Sequence, residues 1–337
     1  MAGALFTEAI GLLGTGLGII QFGMDHFAPG QADPKGTIVG IKAGAGKGAS
    51  NTLGGKISKV YAYDSQNVQI GTAGKQTMAG NGDFLTFTVD QNVPGSQGQY
   101  IGIQNSNDAT CIAWITVQMH DNSVNGVWTG DVGRSCGQTW FESQEVAGKL
   151  DDGTLYYPSC TWLDGNHDNG IGSASLKFAT YAYGSEFSHM TLEQGACAST
   201  IFAADEGEIT ARRRTCIACH GQAKQPCLSC SPSLDGDKLV ISNIASHSAT
   251  NLCNSNTSWG PDFASPSEGK LCDMSTKTLY TLCSKEQVDG CVEINTNPVN
   301  GTTQQRTVAT RKVSVAKRTL SSPIRSYDET DVWGAKE

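Results

Sequence analysis

Residues 212–230, RRRTCIACHGQAKQPCLSC, hold the densest chemistry in the sequence. Cys216-x2-Cys219-x7-Cys227-x2-Cys230 offers two thiol pairs, and tetrahedral Zn2+ takes four such soft ligands at about 2.3 Å. The run CIACH also matches a haem attachment site, although haem would leave Cys227 and Cys230 unexplained. The seven-residue separation is tight for a zinc ribbon. Disulfides need no further component and are the favoured reading, with zinc on these four cysteines as the alternative.

A second stretch, LDGNHDNG at 163–170, sets Asp164, Asn166 and Asp168 at alternate positions. Oxygen ligands so spaced begin a Ca2+ loop. Gly170 falls one residue later than in an EF-hand, and Ser175 stands at the twelfth position, where that loop carries Glu. The alternative is an ordinary Asn/Asp/Gly turn. Catalytic signatures are missing: the sequence contains no G-x-S-x-G, no H-E-x-x-H, and no G-x-G-x-x-G at a strand-to-helix junction. GAGKGAS at 44–50 has Gly48 where a phosphate loop needs Ser or Thr after its lysine. His120-Asp121 and His167-Asp168 could act as acid/base pairs, but such neighbours are common on polar turns. The chain is read as non-enzymatic. It has no obligate cofactor, and Ca2+ and Zn2+ are the metals its residues would suit.

Composition bounds these readings. At 337 residues, two units are expected. Hydrophobic residues make up 38%, charged residues only 17%, and 40 glycines favour a turn-rich β protein. A net charge of −8 argues against nucleic acid as a partner, because neutralising phosphates takes a basic face. Only the tail is basic: Arg306, Arg311, Lys312, Lys317, Arg318 and Arg325 occur with no acid between them. Twelve cysteines are too many for an ordinary cytosolic chain. The N-x-S/T sites at Asn256 and Asn300 suit a glycoprotein. An oxidising compartment and a secreted or cell-surface location follow as expectations. There, cleavage after Arg214 or Arg318 would be open to proteases that recognise basic runs.

The elements that must hold these residues are predicted as follows. Residues 1–27 form an apolar, Gly-rich helix, followed by a linker at 28–36. Although Gly costs about 1 kcal/mol in an isolated helix, Gly14-x-x-x-Gly18, with Gly11, gives the close approach used in helix self-association or membrane insertion. Membrane and self are therefore the expected partners. Alternating runs at 37–43, 56–64, 67–74, 83–90, 99–105, 111–120, 125–132, 139–146 and 175–183 predict nine strands. They would build an antiparallel β-sandwich or jelly roll over 37–197. A hairpin turning between residues 123 and 124 would set Cys111 opposite Cys136, leaving Cys160 for Cys197. Residues 198–215 form a linker. A cysteine-rich module over 216–295, with a strand at 237–243 and a short helix near Ser246–Cys253, would be stapled through Cys216, Cys219, Cys227, Cys230, Cys253, Cys272, Cys283 and Cys291. The basic tail, 296–337, is expected to be poorly ordered.

Two resemblances add to this. CIAWIT (111–116), WTGDVGRSCG (128–137) and CTWLDGNHD (160–168) resemble the C-I-A-x-I/V-T, W-x-G-D-x-G-x-x-C-G and C-x-W-x-D-x-N-x-D motifs of an uncharacterised family of filamentous-fungal proteins. Residues 247–284 resemble a segment found downstream in the same group. That family implies no activity. The strand spacing around residues 83–119 is also faintly similar to PLAT-type sandwiches, which dock on lipid. The expected function is a secreted or surface-associated fungal interaction protein. A glycan-binding β module with a signal-like N-terminus and a zinc-binding intracellular protein stand as alternatives.

Overall fold

A computed structural model describes residues 10–15, 18–22, 36–44, 53–78, 80, 82–119, 125–150, 152–184, 197–209, 237–298, 305–315 and 318–334. The described chain is mainly β, its sheets largely antiparallel and its helices few and short. It divides into two compact units, Met1–Pro226 and Cys227–Glu337.

Two antiparallel sheets of the first unit share one core. One runs Trp140–Phe141, Cys160–Leu163, Thr110–Gln118, Ile38–Ala43, Phe84–Thr88, with Asn125–Thr129 also pairing to Thr110–Gln118. The other runs Thr200–Ala203, Ser175–Ala179, Tyr100–Asn105, Lys56–Tyr63, Gln69–Ala73, Asp90–Gln91, with Gln76–Thr77 also pairing to Lys56–Tyr63. Successive side chains of a strand point to opposite faces. Val39, Ile41, Ile115 and Val117 therefore meet Val60, Ala62, Ile101, Ile103, Leu176 and Phe178 in the same cluster. Strand Thr110–Gln118 is buried at every position, as a central strand covered on both faces must be. The four tryptophans at 114, 128, 140 and 162 are all core residues.

The W-x-G-D-x-G-x-x-C-G segment is not one strand, as predicted for 125–132. After Thr129 the chain turns into a short helix, Gly130–Ser135. Glycine permits this. A Cβ on Gly130 would lie 2.2 Å from the Ser159 carbonyl oxygen, and one on Gly133 would lie 2.2 Å from Thr161 Oγ1. The helix thus sits directly on strand Cys160–Leu163. Its Asp131 accepts hydrogen bonds from the Ser159 amide and the Tyr156 hydroxyl. The predicted strand at 139–146 shrinks to Trp140–Phe141, and 175–183 divides into Ser175–Ala179 and a 3-10 turn, Thr180–Tyr183.

Where a helix was expected over residues 1–27, the described residues 10–15 and 18–22 are strands. Ile10–Thr15 pairs antiparallel with Gly18–Phe22, which pairs with Gly148–Leu150, which pairs with Leu155–Tyr156. Glycines that weaken a helix by about 1 kcal/mol each leave the backbone free to extend. Pairing with an existing strand then satisfies its hydrogen-bonding groups.

In the second unit a five-stranded sheet runs Thr278–Thr281, Lys270–Asp273, Asp262–Ser265, Lys238–Ser242, Glu329–Trp333. Lys238–Ser242 pairs parallel with both Asp262–Ser265 and Glu329–Trp333. A helix, Ala249–Asn254, lies where one was predicted and is capped by Ser248, whose hydroxyl accepts from the Asn251 amide 3.1 Å away. The tail departs most from expectation. Gln305–Val315 and Arg318–Tyr327 form a sheet with Val292–Pro298, and Glu329–Trp333 completes the five-stranded sheet. Its Thr and Val residues favour strands, and its cations find acids distant in sequence. Arg306 meets Asp328, Lys312 meets Glu293, and Arg325 meets both Asp262 and Asp273.

Candidate functional site

Eight cysteines form four disulfides: Cys111–Cys160, Cys136–Cys197, Cys253–Cys272 and Cys283–Cys291. The expected Cys111–Cys136 and Cys160–Cys197 pairings are wrong. In the observed hairpin Ile115 faces Trp128 and Gln118 faces Asn125, and the helix at Gly130 then carries Cys136 away from the sheet. Cys111 instead meets the neighbouring strand, where it lies opposite Trp162, two residues from Cys160. Cys136 reaches Cys197 at the start of the strand segment that closes the other sheet. Disulfides persist in oxidising compartments, so these four point to an oxidising, extracellular-type environment.

Other predicted positions scatter. Cys216, Cys219, Cys227 and Cys230, with the zinc reading they carry, lie outside the described residues, as do Arg214, Asn300 and His120. Asn256 is exposed on a turn. Arg318 opens strand Arg318–Tyr327. Gly11 and Gly14 lie within strand Ile10–Thr15, and Gly18 begins its partner. Among the described residues, no helix is long and apolar enough to cross a membrane.

The residues that do come together are those of the loop leaving strand Cys160–Leu163. Asp164 is fully buried, while Asn166 and Asp168 are exposed beside it. The loop is fixed at both ends: the Asp164 amide donates to Ser173 O at 2.8 Å, and the Gly165 amide donates to Ser106 O at 2.8 Å. Gly165 has no room for a side chain, because a Cβ there would lie 2.2 Å from Glu206 Oε1. His167, at φ 57°, takes the left-handed backbone that bends the loop. Its ring spans Ile171 O and Ala204 O, each 2.7 Å away, tying the loop to the segment after strand Thr200–Ala203.

Inside the bend, Asn166 Nδ2 donates to Asp168 Oδ2 at 2.9 Å, and Asn169 Nδ2 donates to Asp168 Oδ1 at 2.6 Å. The same Asn169 amide lies 3.4 Å from Asp164 Oδ2. The two carboxylates therefore converge on one amide group. Asp164 Oδ1 is buried and has no hydrogen-bond partner. Burial first, and the Asp168 charge second, push the Asp164 carboxyl above the usual carboxylate range; the Asn166 and Asn169 amides pull the other way. Among the described residues, no three or more His, Cys, Asp or Glu side chains gather as a metal site. Any cation here would have to draw on amide and carbonyl oxygens as well as the two carboxylates.

A second polar cluster carries no motif in the sequence. Lys177, in strand Ser175–Ala179, is buried beneath the segment following Ala203. Its ammonium donates to Asn67 Oδ1 at 2.6 Å and Ile209 O at 2.8 Å, and lies 3.4 Å from the Tyr63 ring centroid. Desolvation lowers its pKa to about 8, against a smaller opposing pull from Glu208. The only signal in the sequence is a lone cation inside the strand SLKFA. The amine is closed off by these partners, so the cluster reads as a brace holding residues 204–209 on the sheet.

No protein-family model and no curated protein matches the chain. For several residues of the W-x-G-D-x-G-x-x-C-G segment and the cysteines around it the structure supplies a local reason. Gly130 and Gly133 admit the helix, Asp131 accepts from Tyr156 and Ser159, and Cys111, Cys136 and Cys160 are bonded.

Proposed function

We propose that the chain is a secreted or cell-surface interaction protein, a disulfide-braced β-sandwich that works by binding rather than catalysis. Its apolar N-terminal segment is the self-associating or membrane-directed element. The observation that carries this reading is strand Ile10–Thr15, IGLLGT, which among the described residues stands at the end of its sheet and pairs only with Gly18–Phe22. An apolar edge strand offers a row of unpaired backbone donors and acceptors to another chain. The helix–helix contact expected from Gly14 and Gly18 is thus recast as strand addition between copies. Four disulfides support export, since such bonds persist outside the reducing cytosol.

Sedimentation of the full-length protein against Leu12→Lys tests the reading. A charge on an edge strand blocks edge-to-edge pairing, so wild type is expected to associate at micromolar concentration and the variant to stay monomeric. A wild-type monomer that also fails to bind lipid vesicles would remove the proposed role.

A further inference from the structure

Loop 164–173 contains something a plain polar turn does not need. Asp164 Oδ1 is fully buried without a hydrogen bond. A buried charge is strongly disfavoured unless paired, and among the described ion pairs none includes Asp164 or Asp168. His167, the histidine of the loop, is held by Ile171 O and Ala204 O. The Asp164 carboxylate faces the bend, because its other oxygen meets the Asn169 amide that Asp168 also holds.

We propose that this loop is a Ca2+ site, with Asp164 Oδ1 as its buried ligand and Asp168 as its exposed one. The side-chain oxygens of Asn166 and Asn169, with carbonyl and water oxygens, complete the shell. The chemistry selects the ion. All available donors are hard oxygens, which suit Ca2+ at six to eight ligands and about 2.3–2.6 Å, and not the soft set that Zn2+ prefers. Both asparagines currently turn Nδ2 toward Asp168. Rotating each amide by half a turn presents oxygen in place of N–H without moving the backbone. Two carboxylates in place of the three or four of a high-affinity site match the millimolar-range affinity of extracellular modules. The proposal does not depend on self-association through strand Ile10–Thr15.

The experiment is calorimetric titration of CaCl2 into the chelator-treated full-length protein, with thermal unfolding in Ca2+, in Mg2+ and in EDTA. Millimolar Ca2+ is expected to give saturable heat and to raise Tm by about 3–10 °C, with little response to Mg2+. Asp168→Asn, at an exposed position, is expected to fold normally and weaken binding at least tenfold. Asp164→Asn removes the buried charge. In EDTA it is expected to melt at or above the wild-type temperature, and in Ca2+ to show no rise. The proposal is overturned if wild type gives neither heat nor a Tm shift, or if Asp168→Asn responds as wild type does. An equal response to Mg2+ would overturn the assignment to Ca2+.

Discussion

Removing Cys136–Cys197 tests what holds this molecule together. The bond closes a loop with a sequence separation of 61, against 49 for Cys111–Cys160, 19 for Cys253–Cys272 and 8 for Cys283–Cys291. A cross-link stabilises mainly by restricting the unfolded chain, and the restriction grows with the logarithm of loop length. That relation gives about 4 kcal/mol for the longest loop and about 2.5 kcal/mol for the shortest. Cys136 also anchors the end of helix Gly130–Ser135, so its loss frees the segment that Gly130 and Gly133 seat on strand Cys160–Leu163. The double variant Cys136→Ala/Cys197→Ala is therefore expected to lose about 4 kcal/mol, or roughly 10–15 °C in the melting of the first unit. Cys283→Ala/Cys291→Ala should cost less and act on the second unit. Urea denaturation followed by tryptophan fluorescence reads the first unit well, since four of the six tryptophans are buried in it. A loss for Cys136/Cys197 no larger than for Cys283/Cys291 would refute the loop-entropy reasoning.

Three further outcomes follow from named contacts. Gly133→Ala places a methyl group 2.2 Å from Thr161 Oγ1 and should cost about 1–3 kcal/mol by overpacking, measured in the same urea assay. Arg325→Met strips the cation from the buried Asp262, 3.0 Å away. Breaking such a pair costs about 3–5 kcal/mol, and thermal unfolding of the second unit should show the loss. Lys177 and Lys277 each have a pKa lowered to about 8 by burial. The unfolded chain then binds more protons than the folded one above that pH, so stability should rise from about pH 8 to about pH 9.5. Lys177→Met should flatten that rise in stability measured against pH, and an unchanged slope would contradict burial of Lys177 as its cause.

Most strands of the two sheets that share the first core were legible, but Cys160–Leu163 was not, and Thr200–Ala203, expected in a linker, is a strand of the second sheet. In Tyr100–Asn105 the alternation of Ile101 and Ile103 with Gly102 and Gln104 marks both strand and face, and Thr110–Gln118 shows itself by its β-branched and aromatic residues, Ile112, Trp114, Ile115 and Val117. What failed was long-range. The cysteine pairing follows from a helix at Gly130 whose necessity lies in Ser159 and Thr161, distant in sequence. The tail looked too basic to order because its acids are remote: Arg325 pairs with Asp262, 63 residues away. The apolar period of residues 10–22 suits a helix or a strand equally, and only the partner Gly148–Leu150 decides. In the candidate loop the alternation of Asp164, Asn166 and Asp168 was readable. That Asp164 alone of the three is fully buried was not, since the loop is held there by backbone bonds to Ser173 and, distant in sequence, to Ser106.

Above all, this is an oxidised, covalently cross-braced body. The most direct test is peptide mapping of the native protein after denaturation without reductant, with free thiols alkylated. Linked peptides joining Cys111 to Cys160, Cys136 to Cys197, Cys253 to Cys272 and Cys283 to Cys291 are the expected result. Alkylated, unlinked thiols at these eight positions would contradict it.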